Sequence, residues 1–197
     1  RLDRLDEGSR TMLKVASAIG REFQRWLLQS VYPYPMSEPD IESNLLELCS
    51  KDILARSQVI YLFRHVMTRE VAYESLLYAE RRDLHRRIAQ SIERQADKVR
   101  PADKVRPADE SPHPAAEALA QHYTLAEEWP QALRYQFQAG LRARAIYANE
   151  DAIHRFRETL RIAQYVPDVK HPPDVLYPPD VLYPPDVLYP PDPHEYE

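Results

Sequence analysis

Glycine is nearly missing: Gly8, Gly20 and Gly140 are the three in a chain of 197 residues. Phosphate-cradling loops, nucleophile elbows and dinucleotide-binding turns all need backbone positions that glycine supplies. The three stand alone, with no GxGxxG, GxxxxGK(S/T) or GxSxG, so the chain lacks its own nucleotide cradle or hydrolase elbow. Cysteine is scarcer. The single Cys49 cannot close an internal disulfide, and its place between Leu48 and Ser50 in an apolar helix marks it as a packing residue rather than a nucleophile. Long apolar runs are missing too. None is long enough to span a bilayer, and no signal-peptide pattern opens the chain, which points to a soluble protein of a reducing, cytoplasmic compartment. Starting at Arg1 rather than Met, the sequence reads as an excised piece of something longer.

Charge is present but unevenly placed. The formal net charge is −5, yet residues 1–166 carry 25 basic and 24 acidic side chains, while residues 167–197 carry one base and seven acids. The body is therefore near neutral and the acidity belongs to the tail. Proline divides in the same way, with 10 of 18 in those last 31 residues.

Along the body, Met12, Val15, Ala16 and Ile19 recur at helical spacing, with Ser9 able to cap the start and Gly20 placed to end the helix. A second helix is expected from about Glu22 to Val31, with Phe23, Trp26, Leu27 and Ser30 on one side, stopping at the prolines of 32–35. Ser37 followed by Asp40 reads as a cap, with Pro39 tolerated in the first turn and Ile41, Leu45, Leu48 and Cys49 as the buried stripe. The run Val59–Phe63 is β-branched and aromatic, so it predicts a strand, with Ile53 and Leu54 as partner and Arg56–Gln58 as the turn. A long helix is then expected from about Val66 to Gln95, with Val66, Tyr73, Leu77, Leu84 and Ile88 as its stripe. Three helices followed by a β-hairpin is the order of a winged helix.

Residues 97–108 are DKVRPA twice in tandem, and through Pro114 the segment has four prolines and no aromatic residue, the composition of a linker. Helical spacing resumes at Ala115. WPQALRYQFQAG (129–140) and NEDAIHRFRETL (149–160) match at an offset of 20, pairing Ala132 with Ala152, Leu133 with Ile153 and Gln136 with Phe156. Ala152-x3-Phe156 has the second-helix pattern of a tetratricopeptide hairpin. The offset is below the roughly 34 residues of that repeat, so one hairpin plus a shortened second is expected. In the tail, PPDVLY repeats three times and would run as polyproline II with Tyr177, Tyr183 and Tyr189 on one face. It reads either as a docking peptide or as a low-complexity expansion, and the identity of its copies favours expansion.

Chemistry-bearing sets are few. The seven histidines never pair at i, i+4 on one helix, no HExxH occurs, and Glu117 and His122 lie five apart on different faces. A metal set is not expected. The cluster Arg81, Arg82, Arg86, Arg87 could meet phosphates, but Glu80 and Asp83 interrupt it and no bases crowd the third helix, so it reads as a solvated face.

Residues 63–88, FRHVMTREVAYESLLYAERRDLHRRI, hold the most information. Phe63-Arg64-His65 leaves the wing, Glu70, Tyr73, Ser75 and Leu76 follow, and Arg81, Arg82, Leu84, His85, Arg87, Ile88 and Ala89 lead toward the next helices. With the opening RLDRLDEGSRTMLKVASAIGREF, which includes Ala18-Ile19-Gly20-Arg21-Glu22-Phe23, this resembles the winged-helix portion of STAND-type signal-transduction ATPases. These are found beside class III adenylate/guanylate cyclase domains and in LuxR-type regulators. The resemblance covers about residues 1–95 and, more loosely, 115–165. It implies that His65, where the wing meets its exit helix, reaches the phosphates of a nucleotide held by a neighbouring P-loop domain. Losing that contact would release the winged helix, a population shift rather than catalysis. The bland alternative is a histidine that caps the exit helix.

The expectation is a mainly α protein. Residues 1–96 form a winged-helix-like domain with a long exit helix, 97–114 a linker, 115–166 TPR-like helical hairpins, and 167–197 a disordered proline-rich tail. It has no catalytic site or cofactor of its own, with ATP or ADP bound in a parent that is an ATPase or an adenylate/guanylate cyclase. Its function is to couple the nucleotide state of that P-loop domain to a protein or peptide partner, met by Tyr123, Trp129, Tyr135, Arg142 and Tyr147, without membrane or nucleic acid. The alternative is a DNA-binding transcription regulator that uses the winged helix.

Overall fold

The computed structural model describes residues 5–99 and 113–166, all within one unit of the chain. The tail, and most of the segment read as linker, lie outside the described residues. The described part is mainly helical: eight helices and a small three-stranded sheet.

Helix α1 (Glu7–Ile19) is capped by Asp6, whose carboxylate accepts from the Ser9 N–H at 2.9 Å. Interaction with Ser9, its side chain first and its N–H second, holds the Asp6 carboxyl below its ordinary pKa. Ser9, the expected cap, is instead buried in the first turn. The second expected helix is divided: Glu22–Gln24 form strand β1, and only Arg25–Val31 form α2. The reason is non-local. Glu22, Phe23 and Gln24 pair antiparallel with Leu62, Tyr61 and Ile60, and the Phe23 ring stacks on Tyr61 at 5.9 Å. Helix α3 (Glu38–Ser50) begins as its sequence predicts, with Ser37 accepting from the Asp40 N–H and Ile41, Leu45 and Leu48 buried. Strands β2 (Leu54–Ser57) and β3 (Ile60–Phe63) form the expected hairpin, turning at Gln58, whose φ is 55°. The sheet order is β1-β3-β2, with β3 central.

The expected long helix is broken. Helix α4 (Val66–Glu74) ends at Ser75, and α5 (Tyr78–Val99) starts afresh, with the Glu80 carboxylate accepting from the Leu77 N–H at 2.9 Å. The break takes Val66 and Leu77 out of the predicted stripe; both are exposed, whereas Leu84 and Ile88 are buried. Helices α6 (Ala116–Leu125), α7 (Trp129–Ala145) and α8 (Asn149–Ala163) follow, joined by short turns at Glu127 and Tyr147, both at positive φ.

Apolar side chains gather in two cores. The first holds Met12, Leu13, Leu28, Leu45, Tyr61 and Phe63 from α1 to β3, and takes Leu84 and Ile88 from α5. The second holds Leu119, Tyr123, Ala132, Tyr135, Ala139 and Ile162 from α6 to α8, and takes Ala89 from α5. Ile92 packs against both. Alanines at 89, 116, 120, 132 and 139 let these helix backbones approach closely, while the tyrosines fill the remaining space.

Candidate functional site

His65 stands at the first turn of α4, where the chain leaves β3. Its side chain is exposed and makes no capping hydrogen bond; only its carbonyl serves the helix, accepting from Thr68 N–H at 3.1 Å and Arg69 N–H at 3.4 Å. The imidazole is therefore open to an external group.

The five residues expected to meet a partner separate into two kinds. Tyr123 and Tyr135 are buried in the second core, their rings stacked at 5.6 Å, so they pack inside the stack rather than on an open surface. Both hydroxyls donate to one carboxylate, Glu93 of α5: Tyr123 to Oε2 at 2.8 Å and Tyr135 to Oε1. Burial first, then the Glu93 bond, pushes both phenols well above their ordinary pKa, so they stay protonated donors. Trp129 is half-buried and stacks on Tyr165 at 4.9 Å, and Arg142 donates to the His113 carbonyl at 3.1 Å. Tyr147 alone of the five is fully open, 88% exposed in the turn between α7 and α8.

A polar cluster absent from the sequence expectations sits at the seam of α4, α5 and α6. His85 Nδ1 lies 2.9 Å from His122 Nδ1, and His85 Nε2 lies 2.9 Å from the Tyr73 hydroxyl. Between the two facing Nδ1 atoms one must donate and the other accept, and at the second contact the Tyr73 hydroxyl takes whichever role the His85 tautomer leaves open. Burial is the main cause that lowers the His85 pKa to about 4, with Arg69 adding to it; burial, then His85, lowers His122 to about 3. Arg81 covers the Tyr73 ring at 4.8 Å. The same seam is rimmed by Arg82–Glu127 at 3.2 Å and Arg86–Glu128 at 2.6 Å. These arginines, read as a solvated face, thus pair with the α6–α7 turn. The histidines are 37 residues apart, and no helical spacing could have paired them.

A groove of about 400 Å³ opens between α2, α3 and the β2–β3 turn, lined by Arg25, Trp26, Glu38, Arg56 and Val59 among others. Glu42 is its hub, accepting from Arg56 at 2.6 Å and from the Tyr61 hydroxyl at 3.1 Å. Burial and that carboxylate push Tyr61 up to about 12. Its charges are already satisfied by one another, so it presents a mixed polar surface and not a charged cradle. Among the described residues no three His, Cys, Asp or Glu side chains gather as metal ligands, and no helix is long and apolar enough to cross a membrane.

Compared with protein-family models, with curated proteins and with solved structures, the chain matches none.

Proposed function

We propose that this chain is the regulatory and interaction module of a signal-transduction ATPase, cyclase-linked in its parent, with α1 to β3 as a winged helix and α5 to α8 as TPR-like hairpins. The element order helix, strand, helix, helix, hairpin, with the first strand added beside β3, is what supports the winged-helix reading. The neighbouring α5–α6, α6–α7 and α7–α8 packing supports the hairpin reading.

One observation carries the functional step. Helix α5 is shared by both cores, giving Leu84 and Ile88 to one and Ala89 to the other, so displacement of the winged helix moves the helical arm with it. His65 is free to meet the phosphates of ADP or ATP held by a P-loop domain of the parent, and a protein or peptide partner binds the arm. The module itself performs no catalysis. DNA binding is the weaker reading, because α3, the helix that would enter a groove, carries Glu38, Asp40, Glu42 and Glu47 and no cation; a phosphate backbone repels such a helix.

The test uses the full-length parent. His65→Ala should lower the ADP retained after desalting, measured by chromatography of the released nucleotide, with the helical content unchanged because the side chain is exposed. Retention equal to the parent's, or a parent without a P-loop, counts against the reading. A duplex DNA titration at low salt should show no binding.

A further inference from the structure

Helix α8 closes the described helical stack and leaves one flank uncovered. Ile153 is 50% exposed and Leu160 59% exposed, and seven residues apart they share one face two turns apart. The internal repeat says what kind of face this is. On α7, Phe137 and Gly140 lie against Phe156 of α8; twenty residues on, the corresponding positions are Arg157 and Leu160, both exposed. The flank of α8 is thus the counterpart of the surface with which α7 accepts a helix.

Charge decides which helix it accepts. Glu150 and Arg157, also seven apart on α8, run beside the apolar pair, are exposed, and make no ion pair among the described residues. Reversing the helix about the midpoint of Ile153 and His154 brings position 150 opposite 157. Acid then faces base on both sides of the axis. A surface that complements its own reversed copy is what a two-fold interface requires.

We propose that two copies of this chain associate through α8 packed antiparallel on α8, with Glu150 of each against the partner's Arg157 and the exposed Ile153 and Leu160 covered by the partner helix, Ile153 beside the two-fold axis. The inference goes beyond the regulatory reading above and stands without it, since it uses only α7 and α8. The apolar patch is small, so association is weak and concentration-dependent.

Sedimentation velocity on the 197-residue chain, over a range of concentrations, is the test. The weight-average mass should rise from monomer toward dimer. Glu150→Arg and Arg157→Glu each place like charges opposite one another twice per dimer, and each should weaken association roughly tenfold. The double variant Glu150→Arg with Arg157→Glu restores opposite charges across the axis and should recover dimerisation, while Leu160→Glu should abolish it. All three positions are on the surface, so circular dichroism should remain that of the parent chain. A monomer at every concentration, or a double variant no better than the singles, overturns the proposal.

Discussion

His85 and His122 meet Nδ1 to Nδ1 at 2.9 Å inside the seam that joins α5 to α6. The two facing nitrogens cannot both carry a proton, and burial holds both pKa values below the ordinary 6.5, to about 4 and about 3. The unfolded chain therefore binds more protons than the folded one between pH 6.5 and pH 4. Stability contributed by this pair is fully present above pH 6.5 and is lost as pH falls, at about 1.4 kcal/mol per pH unit for each histidine. Thermal melts from pH 7.5 to pH 4 should show the midpoint falling through this window. The double variant His85→Leu with His122→Leu removes both titrating partners and should flatten that slope. An equal slope in parent and variant would place the acid sensitivity elsewhere.

Glu93 ties α5 to α6 and α7 by accepting from Tyr123 and Tyr135 with its two carboxylate oxygens. Glu93→Ala leaves two buried hydroxyls with no acceptor and should cost about 2 kcal/mol or more in urea unfolding. Glu93→Gln keeps one acceptor oxygen and should cost less. Tyr135→Phe removes a donor without stranding a buried group, so its loss should be about 1 kcal/mol. If Glu93→Ala unfolds at the urea midpoint of the parent chain, the carboxylate is not what holds the second core to α5.

The parts of this fold that the sequence reveals are those whose causes are local. Ser37 and Asp40 announce α3 because a cap acts within three residues, and Val59–Phe63 announces β3 by its own composition. Strand β1 is hidden because its cause is a partner strand 38 residues away, and without that pairing Glu22–Val31 has the pattern of one helix. The α4–α5 break has neither glycine nor proline to mark it. Its only local signal is Glu80, three residues after Leu77, reaching back to a free N–H as a capping side chain does. For the candidate site, the sequence places His65 just after a strand, and the structure adds that its side chain is exposed there. Aromatic residues on the arm could not be sorted the same way, because Tyr123, Tyr135 and Tyr147 are chemically alike. Only the second core separates the two that are buried against Glu93 from the one that faces solvent.

Gly140 shows how one missing side chain sets the α7–α8 approach. A Cβ at this position would stand 2.6, 2.9 and 3.0 Å from Cε1, Cδ1 and Cζ of Phe156, so the ring must shift for anything larger than hydrogen. In an open helix interior, glycine to alanine stabilises by about 0.5–1 kcal/mol. Here the order should reverse, with Gly140→Ala destabilising by about 1–3 kcal/mol through overpacking against a ring that also rests on Phe137 at 5.8 Å. The sign is tested by a double-mutant cycle. In a Phe156→Ala background the clash is gone, and Gly140→Ala should recover its ordinary stabilising effect, giving a coupling energy larger than either propensity term. If Gly140→Ala stabilises the chain with Phe156 intact, the two helices have room to separate and the close approach is not what holds α8 in place.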